Sequence, residues 1–155
     1  MSFRHRVVWG ALALGVSQVH VQAQPPLPSE PTKPAHAGRW ITESGNLEIE
    51  IAPCGDALCG TVTRVLANRS MRAPGQEMAP ADQRPALGMK ILTGLRPAGE
   101  DALSGDIYNR ENAKTYSVRL TLDGPGQMLV RPYIGLPLFG KTQLWRRADE
   151  PEQAK

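Results

Sequence analysis

The sequence is poor in the residues that build metal and redox centres. Two cysteines and three histidines in 155 residues are too few for a zinc finger, an iron-sulfur cluster or a haem held by several side chains. No metal site and no cofactor is therefore expected. Aromatic residues make up only 5%, and no apolar run reaches the roughly 20 residues of a membrane-spanning helix. Glycine (15) and proline (14) are plentiful, which speaks for many turns and against long helices or coiled coils. No internal repeat is present. Gly88, Gly94, Gly99 and Gly105 are too scattered to form a phosphate-binding loop.

Basic residues (Arg4, His5, Arg6), an apolar run from Val7 to Val16 and a more polar stretch ending at Ala23 follow one another at the N-terminus. This is the pattern of a secretory signal peptide, so residues 1–23 are expected to be removed and the protein to reside in the periplasm. No cysteine follows Ala23 closely enough to accept a lipid. Lys and Arg number 18 against 15 Asp and Glu, a net charge of +3, and losing Arg4 and Arg6 leaves +1. A nearly neutral exported chain gives no reason to expect nucleic acid as a partner.

Residues 24–37 (QPPLPSEPTKPAHA) hold five prolines and one large aliphatic side chain. They read as an extended linker that carries the only histidine left after processing, His36. Residues 148–155 read as a polar tail. Between them, residues 38–147 form one domain, in which short segments of period two alternate with turn signals. Leu47, Ile49 and Ile51 oppose Glu48 and Glu50, and Tyr116, Val118, Leu120 and Leu122 oppose Thr115, Ser117, Arg119 and Thr121. Strands are expected at 38–42, 46–52, 58–65, 90–95, 103–108, 115–122, 128–133 and 142–147. Ser44-Gly45, Gly55-Asp56 and Asp123-Gly124-Pro125-Gly126 supply hairpin turns. Seven or eight antiparallel strands in such a span make an all-β barrel or sandwich. The one long irregular stretch, 67–87, has room for a short helix near Ala79 to Arg84 and is a candidate functional loop.

Cys54 and Cys59 flank the expected hairpin turn, where their Cα atoms can come within disulfide range. In an exported chain a structural disulfide is the expectation. The other two readings are a pair of free thiols and a redox couple, which usually has Cys-x-x-Cys spacing beside a helix.

Several short motifs, taken in order, resemble the exported bacterial family of unknown function DUF2147. They are Gly38-Arg39-Trp40, Cys54-Gly55, Leu58-Cys59-Gly60, the run Arg84 to Leu92 (RPALGMKIL), Lys114-Thr115-Tyr116, and Gly140 to Arg146 (GKTQLWR). The resemblance covers Gly38 to Arg146 and implies a small lipocalin-like or calycin-like antiparallel β-barrel, with no established enzyme activity to carry over. Pro132 stands where the family usually has Gly, and because proline cannot donate to a ladder its strand end should be an edge or a bulge. Gly38-x-Trp40, together with Arg146 or Arg147 beside Trp145, is similar to the lipocalin arrangement in which an arginine covers a first-strand tryptophan. The structural residues assigned on this basis are Trp40, Trp145 and Arg146, packed to close the barrel floor.

Residues 38–147 contain no histidine, which excludes a Ser-His-Asp or Cys-His machine there. The remaining candidates for acid-base chemistry are Glu48 with Glu50, Glu100 with Asp101, and Asp106. Alternation puts Glu48 and Glu50 on an outward, solvated face. A binding protein rather than an enzyme is expected, with a small, largely apolar ligand held in the barrel. Leu47, Ile49, Ile51, Val118, Leu120 and Val130 point inward, and Tyr108, Tyr116 and Tyr133 offer hydroxyls. The candidate ligand-binding set is Tyr108, Tyr116, Val118, Leu120 and Tyr133. The alternative is an envelope interaction protein with a filled barrel. It would meet another protein or an anionic lipid headgroup through the basic stretch 64–96, where Arg64, Arg69, Arg72, Arg84, Lys90 and Arg96 stand against Glu77 and Asp82.

Overall fold

The computed structural model describes residues 34–148. The residues expected to form the signal peptide, most of the linker and most of the polar tail lie outside the described residues. Eight antiparallel strands run up and down in chain order and close into a barrel. They are β1 (Gly38–Ile41), β2 (Leu47–Cys54), β3 (Ala57–Val65), β4 (Lys90–Pro97), β5 (Ala102–Asn109), β6 (Lys114–Leu122), β7 (Gln127–Tyr133) and β8 (Gln143–Arg147). Each lies within two residues of its expected bounds. The period of two is a strong signal wherever one face of a strand is buried. Closure rests on a short seam in which Trp40 and Ile41 of β1 face Arg147 and Arg146 of β8.

No helix forms at Ala79 to Arg84. The backbone N–H groups of Ala81 and Asp82 donate instead to the carbonyls of Glu111 and Arg110, which lays the segment across the β5–β6 turn. The helical turn among the described residues is a single 3-10 turn at Pro137–Phe139. Cys54 and Cys59 form a disulfide across the β2–β3 hairpin, with Cα atoms 5.8 Å apart. Pairing of β7 with β8 stops at Val130 opposite Gln143, so Pro132 occupies a stretch paired only to β6. That is where a residue without an N–H donor is tolerated.

Two expectations need correction. Glu48 is 2% exposed, not on a solvated face. A register shift between Glu48 and Ile49 sets Arg64 directly opposite Glu48. Arg64 and Arg39 then cover the carboxylate at 3.2 and 3.6 Å, and Thr63 donates to it. The side chain does point out of the barrel, but cross-strand partners of opposite charge roof it over. Folded structure also begins before Gly38. His36 and Ala37 are buried, the Trp40 indole N–H donates to the His36 carbonyl, and the Ala37 N–H closes a turn onto Pro34. Residues 34–37 are therefore a plug for one end of the barrel, because the indole and the arginine beside it supply the hydrogen bonds that a proline-rich segment cannot make within itself.

Candidate functional site

The two ends of the barrel are built differently. In an up-and-down barrel alternate connections share an end. The β2–β3, β4–β5 and β6–β7 turns therefore lie with the plug, and the β1–β2, β3–β4, β5–β6 and β7–β8 connections surround the opposite end. At the plugged end the guanidinium of Arg147 lies 4.2 Å from the Trp40 ring centroid. It donates to the carbonyls of Ala35, Ala37 and Pro125. Gly38 makes this stacking possible, since a Cβ there would stand 2.9 Å from Arg147 Nη1. The sequence-based choice of Arg146 is thus corrected to Arg147. Trp145 points inward, so alternation sends Arg146 to the exposed face and returns Arg147 to the Trp40 side.

Above the plug the lumen is filled. Trp40, Ile49, Ile51, Val118, Leu120, Met128 and Val130 are almost completely buried and form one cluster. An eight-stranded barrel is just wide enough for side chains to fill it, and in this half they do. Toward the mouth the filling stops. A cavity of about 430 Å³ opens there, with a wall dominated by Leu47, Met78, Ile91, Ile107, Tyr116 and Trp145. Trp145, Ile91 and Ile107 belong to the buried cluster as well, so they form the boundary between core and cavity.

Of the candidate ligand-binding residues, Tyr108, Tyr116 and Tyr133 line this cavity. Val118 and Leu120 do not, because they lie deeper along β6 in the filled half. Trp145, assigned from sequence to packing alone, also contributes to the cavity wall. Two of the tyrosine hydroxyls are already engaged. Tyr108 donates to Asp82 Oδ2 at 2.8 Å, and Tyr116 accepts from Asn112 Nδ2 at 2.7 Å, which leaves the Tyr116 O–H free to donate.

Polar clamps tie the loops together around the mouth, and Asn46, Arg110 and Glu111 among them also line the cavity. Asp82 is gripped by Arg84, whose Nε and Nη2 reach both carboxylate oxygens. Arg84 first, and the Tyr108 hydroxyl second, hold the Asp82 carboxyl well below the usual carboxylate range, and bonding to Asp82 pushes the Tyr108 phenol up. Arg110 ties the same segment down by donating to the carbonyls of Asp82 and Arg84. Glu111 in the β5–β6 turn accepts from the Ser70 hydroxyl at 2.5 Å and the Met71 N–H at 3.2 Å. Asn46 exchanges two hydrogen bonds of 2.8 Å with the backbone of Arg69. Asn46 and Glu111 carry no period and sit in turns, so sequence reasoning missed them. The one available signal was the concentration of amide and carboxylate side chains in short connections.

These clamps change the reading of the basic stretch 64–96. Arg64 faces Glu48, Arg84 faces Asp82, and Arg96 faces Asp56, while Arg69 donates to the Ser44 carbonyl. Three of the six cations in that stretch, Arg64, Arg84 and Arg96, are therefore paired with carboxylates inside the molecule. Among the described residues no three histidine, cysteine or carboxylate side chains cluster as metal ligands would.

A closed eight-stranded up-and-down barrel, plugged at one end and hollow at the other, defines a lipocalin-like protein. The chain belongs to the family described as an uncharacterized protein conserved in bacteria (DUF2147), whose model matches residues 38–147. Among solved structures it is similar to protein HP1028 from Helicobacter pylori, described as belonging to the lipocalin family. The TM-score is 0.54 at 18% identity, over 74% of this chain and 83% of that one. The likeness is one of fold. No curated protein sequence matches the chain.

Proposed function

We propose that this protein is an exported binding module that captures a small, largely apolar molecule in the open half of its barrel, without chemical conversion. The observation that carries this reading is the cavity itself. At about 430 Å³ it falls within the range of small-molecule sites, which pair mostly apolar walls with a few polar groups that fix orientation. Burial of apolar surface would supply the affinity, and Tyr116 and the rim cations Arg110 and Lys141 would orient a polar end of the ligand. Capture without catalysis suits the acidic groups at the mouth. Asp82 is neutralised by Arg84 and Glu111 is committed to Ser70 and Met71, so neither stands ready to move a proton. The Cys54–Cys59 disulfide suits an oxidising compartment outside the cytoplasm.

The test uses N-phenyl-1-naphthylamine, a neutral apolar fluorophore. Saturable binding at one site per chain is expected, with energy transfer from Trp145. Ala67 lines the cavity, and Ala67→Trp should narrow it and weaken the probe at least about tenfold while leaving the melting temperature nearly unchanged. If the probe binds the Ala67→Trp protein as well as the wild type, the cavity is not the site.

A further inference from the structure

We infer that the open end of the barrel docks onto an anionic lipid bilayer, with the β7–β8 connection seated in the boundary between headgroups and acyl chains. This inference stands on side chains exposed at the mouth, of which Ile134 and Phe139 also border the cavity.

The large hydrophobic side chains that stand exposed among the described residues are all at the mouth end. Four belong to the β7–β8 connection: Ile134, Leu136, Leu138 and Phe139, exposed by 74, 63, 78 and 77%. The others, from Val65 to Leu87, lie at the end of β3 and in the loop after it. The turns at the plugged end contribute none. Scattered exposed apolar residues are ordinary on a protein surface, but their concentration at one pole is the mark of an interaction surface.

The backbone of the connection shows which partner it suits. Arg131 donates from Nε and Nη2 to the carbonyls of Pro137 and Leu138, and from Nη1 to the Thr142 hydroxyl. Phe139 and Gly140 donate back to Leu136 and Pro137. The tip thus presents hydrocarbon, with the carbonyls of Leu136, Pro137 and Leu138 and the N–H groups of Phe139 and Gly140 already paired. Such pairing lowers the cost of approaching a medium with no hydrogen-bonding partners, and the remaining backbone groups stay at the level of the hydrated headgroups.

Charge gives the orientation. The three turns at the plugged end carry Asp56, Glu100, Asp101 and Asp123, with Arg96 paired to Asp56 and Arg147 lying over the plug. Arg69, Arg72 and Lys141 are exposed at the mouth end, against exposed Glu43 and Glu77. An anionic surface therefore attracts the mouth more than the opposite pole, as expected of a protein that sits on charged headgroups through an apolar tip and a basic surround.

The experiment places a tryptophan at the tip. Phe139→Trp protein is mixed with vesicles of phosphatidylcholine alone, or of three parts phosphatidylcholine to one part phosphatidylglycerol. A blue shift of the new emission and its quenching by brominated acyl chains are expected with the anionic vesicles. The double substitution Leu136→Ser and Leu138→Ser, at exposed residues that do not line the cavity, should lower vesicle partitioning at least about tenfold, with the far-ultraviolet circular dichroism and N-phenyl-1-naphthylamine binding unchanged. Unchanged tryptophan emission with both vesicle types would overturn the inference, and so would equal partitioning of the double variant. Sedimentation without lipid covers the remaining occupant. A wild-type dimer that the double variant converts to monomer would assign the patch to a second copy of the chain and overturn the lipid reading.

Discussion

Replacing Arg147 tests whether the plugged end is held as the geometry says. Arg147→Met keeps most of the aliphatic stem and removes the charged fork. The stacking on Trp40 at 4.2 Å is worth about 1 kcal/mol at a half-buried site. The part-buried bond to Ala37 O adds about 1 kcal/mol, and the exposed bonds to Ala35 O and Pro125 O about 0.5 kcal/mol each, since those carbonyls regain water when the arginine leaves. The expected loss is on the order of 3 kcal/mol, read as a lower midpoint in urea at unchanged slope.

Arg146→Met is the matched control. Arg146 is the neighbour in sequence and equally basic, but it lies on the exposed face, where a substitution should stay within about 0.5 kcal/mol. Hydrogen exchange gives a second readout, because the amide of Ala37, which bonds to Pro34 O, should lose protection in Arg147→Met alone. Equal losses from the two substitutions would refute the argument, as would an Arg147→Met protein whose plug amide stays protected.

Gly105 faces a bulge in β4, and a Cβ there would stand 2.6 Å from Thr93 O and 3.0 Å from the Gly94 carbonyl. Gly105→Ala should therefore lower stability by roughly 2–3 kcal/mol in thermal melts, while Gly126→Ala, with nothing within 4 Å, should leave it nearly unchanged. Burial, opposed by Asp101, lowers the His36 pKa from 6.5. With the folded value depressed, the unfolded chain binds more protons below about pH 6.5, so this contribution to stability is present above that pH and is lost as pH falls through the folded value. The urea midpoint should fall between about pH 7.5 and pH 5.5. His36→Gln should flatten that dependence, and an unchanged slope in His36→Gln would show that another group is responsible.

The strands were legible because alternation is enforced wherever one face is buried, and Gly55-Asp56 or Asp123-Gly124 marks where a strand must stop. What sequence could not supply was anything set by neighbours across the sheet. Glu48 has the pattern of a solvated residue, and only the register that brings Arg39 and Arg64 beside it explains its burial. The choice between Arg146 and Arg147 turns on one step of alternation from Trp145, a signal that was present and was read one residue short. Pro34 to Ala37 have the composition of a linker, and they order only because Trp40 and Arg147 supply partners. Tyr108, Tyr116 and Tyr133 were placed near a ligand by chemistry alone, and the barrel brings them to one cavity. Val118 and Leu120 share the inward face of β6 with Tyr116, but alternation does not give depth along the axis.

Depth along that axis is where the physics of this barrel lies. Eight strands enclose a lumen that side chains can fill, so a cavity persists only where bulky residues are absent from the lumen and the walls are kept from collapsing. Trp40, Met128 and the aliphatic cluster fill the lower half. In the upper half the bracing groups, Asn46, Asp82 and Glu111, make their hydrogen bonds among the loops, so Asn46 and Glu111 border the cavity without filling it. Such bracing separates stability from capture. Changes around the plug should lower the free energy of unfolding and leave apolar probes bound, whereas filling the mouth should displace the probe from a barrel that melts as before. A barrel whose lower core also formed the pocket would not allow that separation.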